Sequence, residues 1–192
     1  MLDLISGLRV AAATMIICVV GYTALVLGFA QAITPATANG SLIANERGEI
    51  VGSQLIAQAF TSPEYFWPRP SAVDFDASGA GGSNLSPANP ALTERAVKLI
   101  AAHTGATEER PIPADLVTAS GAGLDPHISL EGALFQAPRI AAARGVEISA
   151  IAAFIRRLAY APGAFFTEGR IVNVLELNLA LDAELAASEA SN

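Results

Sequence analysis

From Val10 to Asn45 the chain carries no charged residue, and its first 24 positions, Val10 to Ile33, are almost wholly apolar. As an α-helix that stretch reaches about 36 Å at about 1.5 Å per residue, enough to cross a hydrocarbon core of about 30 Å with some tilt. A compact soluble domain has no use for such a segment, so the sequence predicts a single transmembrane helix over 10–33. Residues 1–9 are then a short cytoplasmic tail holding Asp3 and Arg9, and 34–192 form one extracytoplasmic soluble domain. The orientation follows from a marginal Lys/Arg excess before the helix. A cleaved signal peptide is the rival reading: Ala30-Gln31-Ala32 and Ala36-Thr37-Ala38 look like small-residue cleavage sites. It predicts a mature N-terminus near residue 33 or 39, as in a released solute-binding module. Signal h-regions run about 7–15 residues, well short of this run. Thr14, Gly21, Thr23 and Gly28 give the helix small or weakly polar positions where another helix can approach closely.

Charge excludes one class of partner. The chain has 11 Lys plus Arg against 18 Asp plus Glu, and its one lysine is Lys98. Binding nucleic acid requires clustered cations to neutralise phosphates, and no such cluster exists here. The ligands for a metal centre are equally scarce. With His103, His127 and Cys18 as the whole His/Cys inventory, no CxxC pair, HExxH or Cys/His finger can be written, and one cysteine excludes an internal disulfide.

Beyond the apolar run the pattern is mixed, predicting an α+β domain with one small sheet and about four helices. Thr34 to Asn39 reads as a polar linker ended by Gly40. Ser41 to Ala44 and Glu49 to Gly52 flank Asn45-Glu46-Arg47-Gly48, a turn sequence, and predict a hairpin. Asn89-Pro90 is an N-cap followed by proline at the first helical position, predicting a helix over 92–103 that Gly105 ends. A second helix is expected near Pro113. A third runs from Ser129 as N-cap to Gly145, with a kink or break at Pro138. A fourth, Ile148 to Ala159, places Ile148, Ile151, Ile155 and Leu158 on one stripe. From Ile171 the odd positions Leu175, Leu177, Leu179 and Leu181 share a face, which predicts a strand through about Leu177.

Three loops carry the chemistry. Between Pro63 and Pro90 the chain is too rich in Pro, Gly, Ser and Asn for a regular element, yet Tyr65, Phe66, Trp67 and Phe75 can bury its flanks. Arg69 stands between two prolines, held for a fixed fork to a carboxylate or to carbonyls, either a partner's or the loop's own. Gly79 to Asn84 invites a phosphate-loop reading through Gly81, Gly82, Ser83 and Asn84. It lacks Gly-Lys-Ser/Thr and does not match GxGxxG. Pro113 to Ser129 gathers Asp115, Thr118, Ser120, Asp125 and His127. A membrane-anchored hydrolase using Ser120 and His127 is the enzyme alternative. Against it, Thr118 stands where GxSxG needs its first glycine, and residues so close in sequence rarely converge as a triad. The alternative is that Asp125 and Ser129 cap turns and helix starts beside a packed His127.

The residues that carry a family likeness are GSLIANERGEIVGSQLIAQAF (40–60), YFWPRPSAVDFD (65–76), GGSNLSPANP (81–90), PADLVTASGAGLDPHIS (113–129), Gln136 with Arg139, Ala143-Arg144-Gly145 and NVLELNLALD (173–182). Together they resemble the C subunit of the Kdp potassium-transporting ATPase, the KdpC family, over nearly the whole chain. The resemblance implies a subunit that is no enzyme by itself, in a bacterial inner-membrane complex. A P-type subunit there hydrolyses ATP, a channel-like subunit carries potassium, and a small single-helix subunit completes the set, so ATP and K+ are handled by the complex. It also implies help in assembly and a catalytic-chaperone role that raises the ATP affinity of the hydrolysing subunit. ATP is scarce outside the cytoplasm, so the residues favour instead a domain that docks on the outer mouth of the potassium subunit through the three loops. On that reading Arg69, Ser71, Asn84, Asp115, Ser120, Asp125, His127, Gln136 and Arg139 are the candidate partner-contact residues, with no catalytic or metal-binding residue.

Overall fold

The chain divides into two compact units, residues 1–42 and 43–192. A computed structural model describes residues 2–45, 47–103, 105–163, 166 and 168–189. Glu46, in the predicted turn, lies outside the described residues.

The first unit is a 32-residue helix, α1 (Leu2–Ile33), with no buried residue. It starts eight positions before the predicted boundary because nothing between Leu2 and Val10 breaks it, and Asp3 in its first turn suits the helix dipole. Its middle, Ile16–Gly21, widens into a π-helical stretch. Thr34, at φ −135° and ψ 60°, ends the helix before Pro35. The predicted linker is not plain coil: Pro35–Ala38 forms one helical turn. The Gln31 and Asn39 carboxamides face each other reciprocally across it, at 3.1 and 3.3 Å.

The second unit is α+β, with two two-stranded sheets where the sequence reading expects one. The predicted hairpin forms from β1 (Leu42–Ala44) and β2 (Ile50–Ser53). Asn45 shapes its turn, accepting the N–H groups of Arg47 and Glu49 on its side-chain oxygen, both at 3.0 Å. Helix α2 (Pro90–Ala102) starts as expected, the Asn89 side chain accepting the Ala91 N–H at 3.0 Å. The helix expected at Pro113 is only a 3-10 turn, Ala114–Leu116, because the Ser/Gly-rich run behind it cannot sustain a longer helix. Two segments differ more. His127–Ser129 is a strand, β3, antiparallel to β4 (Ile171–Asn173), with Ile128 opposite Val172. The strand expected through Leu177 stops at Asn173, whose side chain accepts the Glu176 N–H at 3.2 Å as a helix cap. Helix α5 (Val174–Glu189) follows, burying Val174, Leu177, Asn178 and Leu181. Leucines at alternate positions fit both periods, and the 3- and 4-residue spacing of this buried set decides for helix.

The core forms where helix α3 (Leu130–Arg144) meets α4 (Ile148–Leu158), β3–β4 and α5. Its centre is Phe66, Ile140, Ile155, Leu177 and Val172, all essentially without exposure. Ser129 caps α3 by accepting the Gly132 N–H at 2.8 Å, and Gly145 closes it at φ +66°. On α4 the inner stripe is Ile151, Phe154 and Ile155, while the expected stripe members Ile148 and Leu158 are exposed at 51% and 39%.

Helix α3 runs through Pro138 as one element, so of the expected kink or break the break does not occur. A proline leaves the carbonyl four residues earlier, that of Leu134, without its helical donor. Arg110 supplies a substitute. Its Nη2 lies 3.5 Å from the Leu134 carbonyl and 2.8 Å from that of Phe135, and its guanidinium stacks 4.7 Å from the Phe135 ring centre. Arg110→Ala is therefore expected to destabilise the domain by about 1.5–3 kcal/mol. Pro138→Ala, which restores an N–H to Leu134, should recover a large part of that loss in the double variant. Thermal denaturation of the four proteins checks this, and strictly additive effects would disprove the pairing.

Candidate functional site

The long loop 63–90 begins with Pro-Glu-Tyr-Phe-Trp-Pro-Arg-Pro, which forms no strand and still places Phe66 at the centre of the core. Its backbone polar groups need partners there. Two carboxamides provide them. Asn178 on α5 accepts the Phe66 N–H at 2.8 Å and donates to the Phe66 carbonyl at 3.1 Å. Gln136 on α3 accepts the Trp67 N–H at 2.8 Å and donates to the Trp67 carbonyl at 3.1 Å. Both side chains are 2% exposed.

Arginines complete the clamp. Arg139 donates to the carbonyls of Pro63 and Tyr65 and to Gln136, with its guanidinium 4.0 Å from the Trp67 ring centre. Burial pushes its pKa down to about 10, which still leaves it charged at neutral pH. Arg144 donates to the Glu64 carbonyl at 3.1 Å and pairs with Asp182 at 2.7 Å, while the Tyr65 hydroxyl donates to the other Asp182 oxygen at 3.0 Å. Burial, then the Asp182 carboxylate, holds that hydroxyl above the usual tyrosine range. The His103 ring packs tilted against that of Trp67, their centres 5.4 Å apart, and burial followed by the Arg139 charge lowers its pKa, keeping it neutral.

The other two loops lock onto this segment. Ser71 donates to the Gly123 carbonyl at 2.7 Å and accepts the N–H groups of Val73 and Phe75. Gly81 donates its N–H to the Ala122 carbonyl at 2.8 Å, and Ser120 donates its N–H to the Pro70 carbonyl at 3.2 Å. The backbones approach too closely for side chains: a Cβ on Gly82 would lie 2.9 Å from the Gly121 carbonyl oxygen, and one on Gly123, at φ +70°, would lie 2.9 Å from that of Gly81. The glycines read as a weak phosphate cradle thus serve loop-to-loop packing. Asp115 sits at the N-terminus of α3, accepting the Ser129 N–H at 2.6 Å in space that only Gly132 leaves open.

Asp125 joins the loops electrostatically. One carboxylate oxygen meets Arg69 at 3.1 Å, and the other accepts the His127 N–H at 3.0 Å and faces His127 Nδ1 at 3.3 Å. Burial alone would raise the Asp125 pKa, but the His127 hydrogen bonds and the Arg69 charge hold it net below the usual carboxylate range. The two residues of the hydrolase alternative are not assembled as nucleophile and base. His127 Nε2 lies 2.9 Å from the Tyr160 hydroxyl, while Ser120, 3% exposed, accepts the Asp125 N–H on its Oγ at 3.5 Å.

Arg69, Ser71, Asp115, Ser120, Asp125, Gln136 and Arg139 are therefore tied into the domain's own loops. Asn84 stays exposed, at φ +49°. The sequence reading missed Asn178, Asp182, Tyr160 and Arg110. Asn178 and Asp182 lie four apart on one helical face, a signal hidden once 171–177 is read as strand.

Comparison with known proteins places these features. The family model KdpC, the c chain of K+-transporting ATPase, matches residues 4–183. The chain is 56% identical over 178 residues to the potassium-transporting ATPase KdpC subunit of Parvibaculum lavamentivorans, covering 93% of this chain and 95% of that one. It is 49% identical over 176 residues to the subunit of that name from Geobacter sulfurreducens, covering 87% and 90%. The one from Janthinobacterium sp. is 48% identical over 185 residues, covering 92% and 95%.

Replacing either clamp carboxamide by an isosteric apolar side chain leaves an N–H and a carbonyl without partners inside the protein. Gln136→Leu and Asn178→Leu are each expected to cost about 1–3 kcal/mol per orphaned group. The melting temperature should fall several degrees, with a change in Trp67 emission, whereas Ala80→Ser, on the exposed part of the loop, should stay within about 0.5 kcal/mol. A melting temperature unchanged in both leucine variants would show that the clamp contributes little.

Proposed function

The chain belongs to the KdpC family, and from that premise we propose that it is a membrane-anchored accessory subunit of a potassium-uptake ATPase, no enzyme by itself, whose domain docks on the channel-like potassium subunit. Helix α1 crosses the bilayer as residues 10–33, and residues 34–192 lie outside the cytoplasm. The P-type subunit hydrolyses ATP, and the small single-helix subunit completes the complex. The observation that supports docking is the clamped loop assembly. Loops 63–90 and 113–129 bond to each other and to buried residues of α3 and α5, so their outer surface is held in one shape before any partner arrives. A preorganised surface avoids the ordering cost that a flexible loop meets on binding.

The catalytic-chaperone role fits this arrangement only through the assembled complex. A domain outside the cytoplasm raises the ATP affinity of the hydrolysing subunit by favouring one state of the whole assembly, without touching nucleotide. The glycine loop is consistent with that reading, since Gly81 already donates its N–H to Ala122.

Topology tests the proposal. In a Cys18→Ser background, a cysteine is placed by Ala80→Cys on the exposed part of the loop. Intact cells permeable only at the outer membrane are then treated with a membrane-impermeant thiol reagent. Labelling before the inner membrane is opened is the expected result. Labelling only afterwards would place the domain in the cytoplasm and overturn both the orientation and the docking site.

A further inference from the structure

Helix α2 is seated more loosely than the other helices of the second unit: none of its 13 residues is buried. Leu92, Ala96 and Leu99 make only a half-buried inner stripe, and none of them joins the core. On the same stripe the Arg95 Nε is shut from water with no acceptor among the described residues, a cost to the seat and no support. Among the described residues no hydrogen bond or ion pair joins α2 to another element.

What ties the helix down is the ring at its C-terminal end. His103, the C-cap, continues the inner stripe four residues after Leu99. Its ring meets two others, Trp67 of loop 63–90 with centres 5.4 Å apart and Phe135 of α3 at 6.2 Å, edge-on. Each of those rings already holds a guanidinium: Arg139 lies 4.0 Å from the Trp67 centre, and Arg110 lies 4.7 Å from that of Phe135. A neutral imidazole packs into this cluster, whereas an imidazolium adds a third cation to two rings that each already attract one. The charged groups of the packed elements do not compensate it. On loop 63–90 Arg69 pairs with Asp125, on α3 Arg139 repels, and beside Leu116 the Asp115 carboxylate accepts the Ser129 N–H. Burial, then the Arg139 charge, outweighs the opposing pull of the Leu116 backbone and lowers the His103 pKa.

We propose that α2 is an acid-released strap. Neutral His103 latches it to Trp67 and Phe135, and a proton on the ring lets the helix lift away as a unit while the core of α3, α4 and α5 stays closed. No covalent bond changes. The inference needs the fold alone and holds whichever face of the domain docks. Its sign follows from the same cluster: the open strap binds the His103 proton better than the closed one. Opening is then insensitive to pH above about 6.5 and increases by up to about tenfold per unit below it.

Native-state hydrogen exchange of the full chain in nanodiscs tests this, with rates converted to protection factors so that the intrinsic pH dependence of exchange cancels. Between pH 8 and 6.5 protection over α2 should hold constant. Between pH 6.5 and 5 the amides from Val97 to Ala101 should lose it several-fold, while Ile140 in α3 keeps its own. Trp67, the chain's one tryptophan, should become more open to acrylamide quenching over the same range. His103→Phe, which keeps a ring and takes no proton, should hold both readouts flat. Protection over α2 that does not change with pH, or that falls together with Ile140, overturns the proposal, as does a pH dependence that survives His103→Phe. Amides over α2 already unprotected at pH 8 overturn it as well, since nothing is then latched.

Discussion

A carboxamide carries one donor edge and one acceptor, so Gln136 and Asn178 can do for two consecutive loop residues what a neighbouring strand does for a strand residue. That substitution lets an irregular segment enter the core. Phe66 reaches the centre of the domain only because its peptide groups are matched from α5, and Trp67 lies beside it because its own are matched from α3. Without those partners, burial of the segment would leave four backbone polar groups unpaired at about 1–3 kcal/mol each. The other loops depend on this placement. The Trp67 ring meets both Arg139 and His103, the Pro70 carbonyl accepts the Ser120 N–H, and Arg69 reaches Asp125.

The cations show the same economy. Arg69, Arg110, Arg139, Arg144, Arg157 and Arg170 each donate to a carbonyl or carboxylate of the chain itself. In a chain with 11 cations and 18 anions, these internal contacts engage six of the cations.

Much of the framework was legible in the sequence because it rests on local signals. The apolar run, the Asn89-Pro90 start, the Ser129 and Gly145 ends and the Asn45 turn each announce one element. What was not legible depends on tertiary partners. Pro138 reads as a kink or break until Arg110 is known to reach the freed Leu134 carbonyl. Alternating leucines from 175 to 181 read as a strand until the core selects Val174, Leu177, Asn178 and Leu181 as one helical face. Gln136 and Arg139 were marked as candidate contacts with a partner. In the structure both bond within the domain, Gln136 to the Trp67 peptide and Arg139 to the Pro63 and Tyr65 carbonyls. Tyr160 carried no sequence signal, since it meets His127 only where its bridge to Ile171 places it.

The claim on which the account turns is that the Phe66–Trp67 peptide is locked as firmly as regular structure. Native-state hydrogen exchange of individual backbone amides measures that directly. The Phe66 and Trp67 amides should exchange as slowly as that of Ile140 in the middle of α3, through opening of the whole domain. Exchange as fast as that of an exposed loop amide such as Ala80 would show the segment opening locally, and a loop face built in advance would then be contradicted.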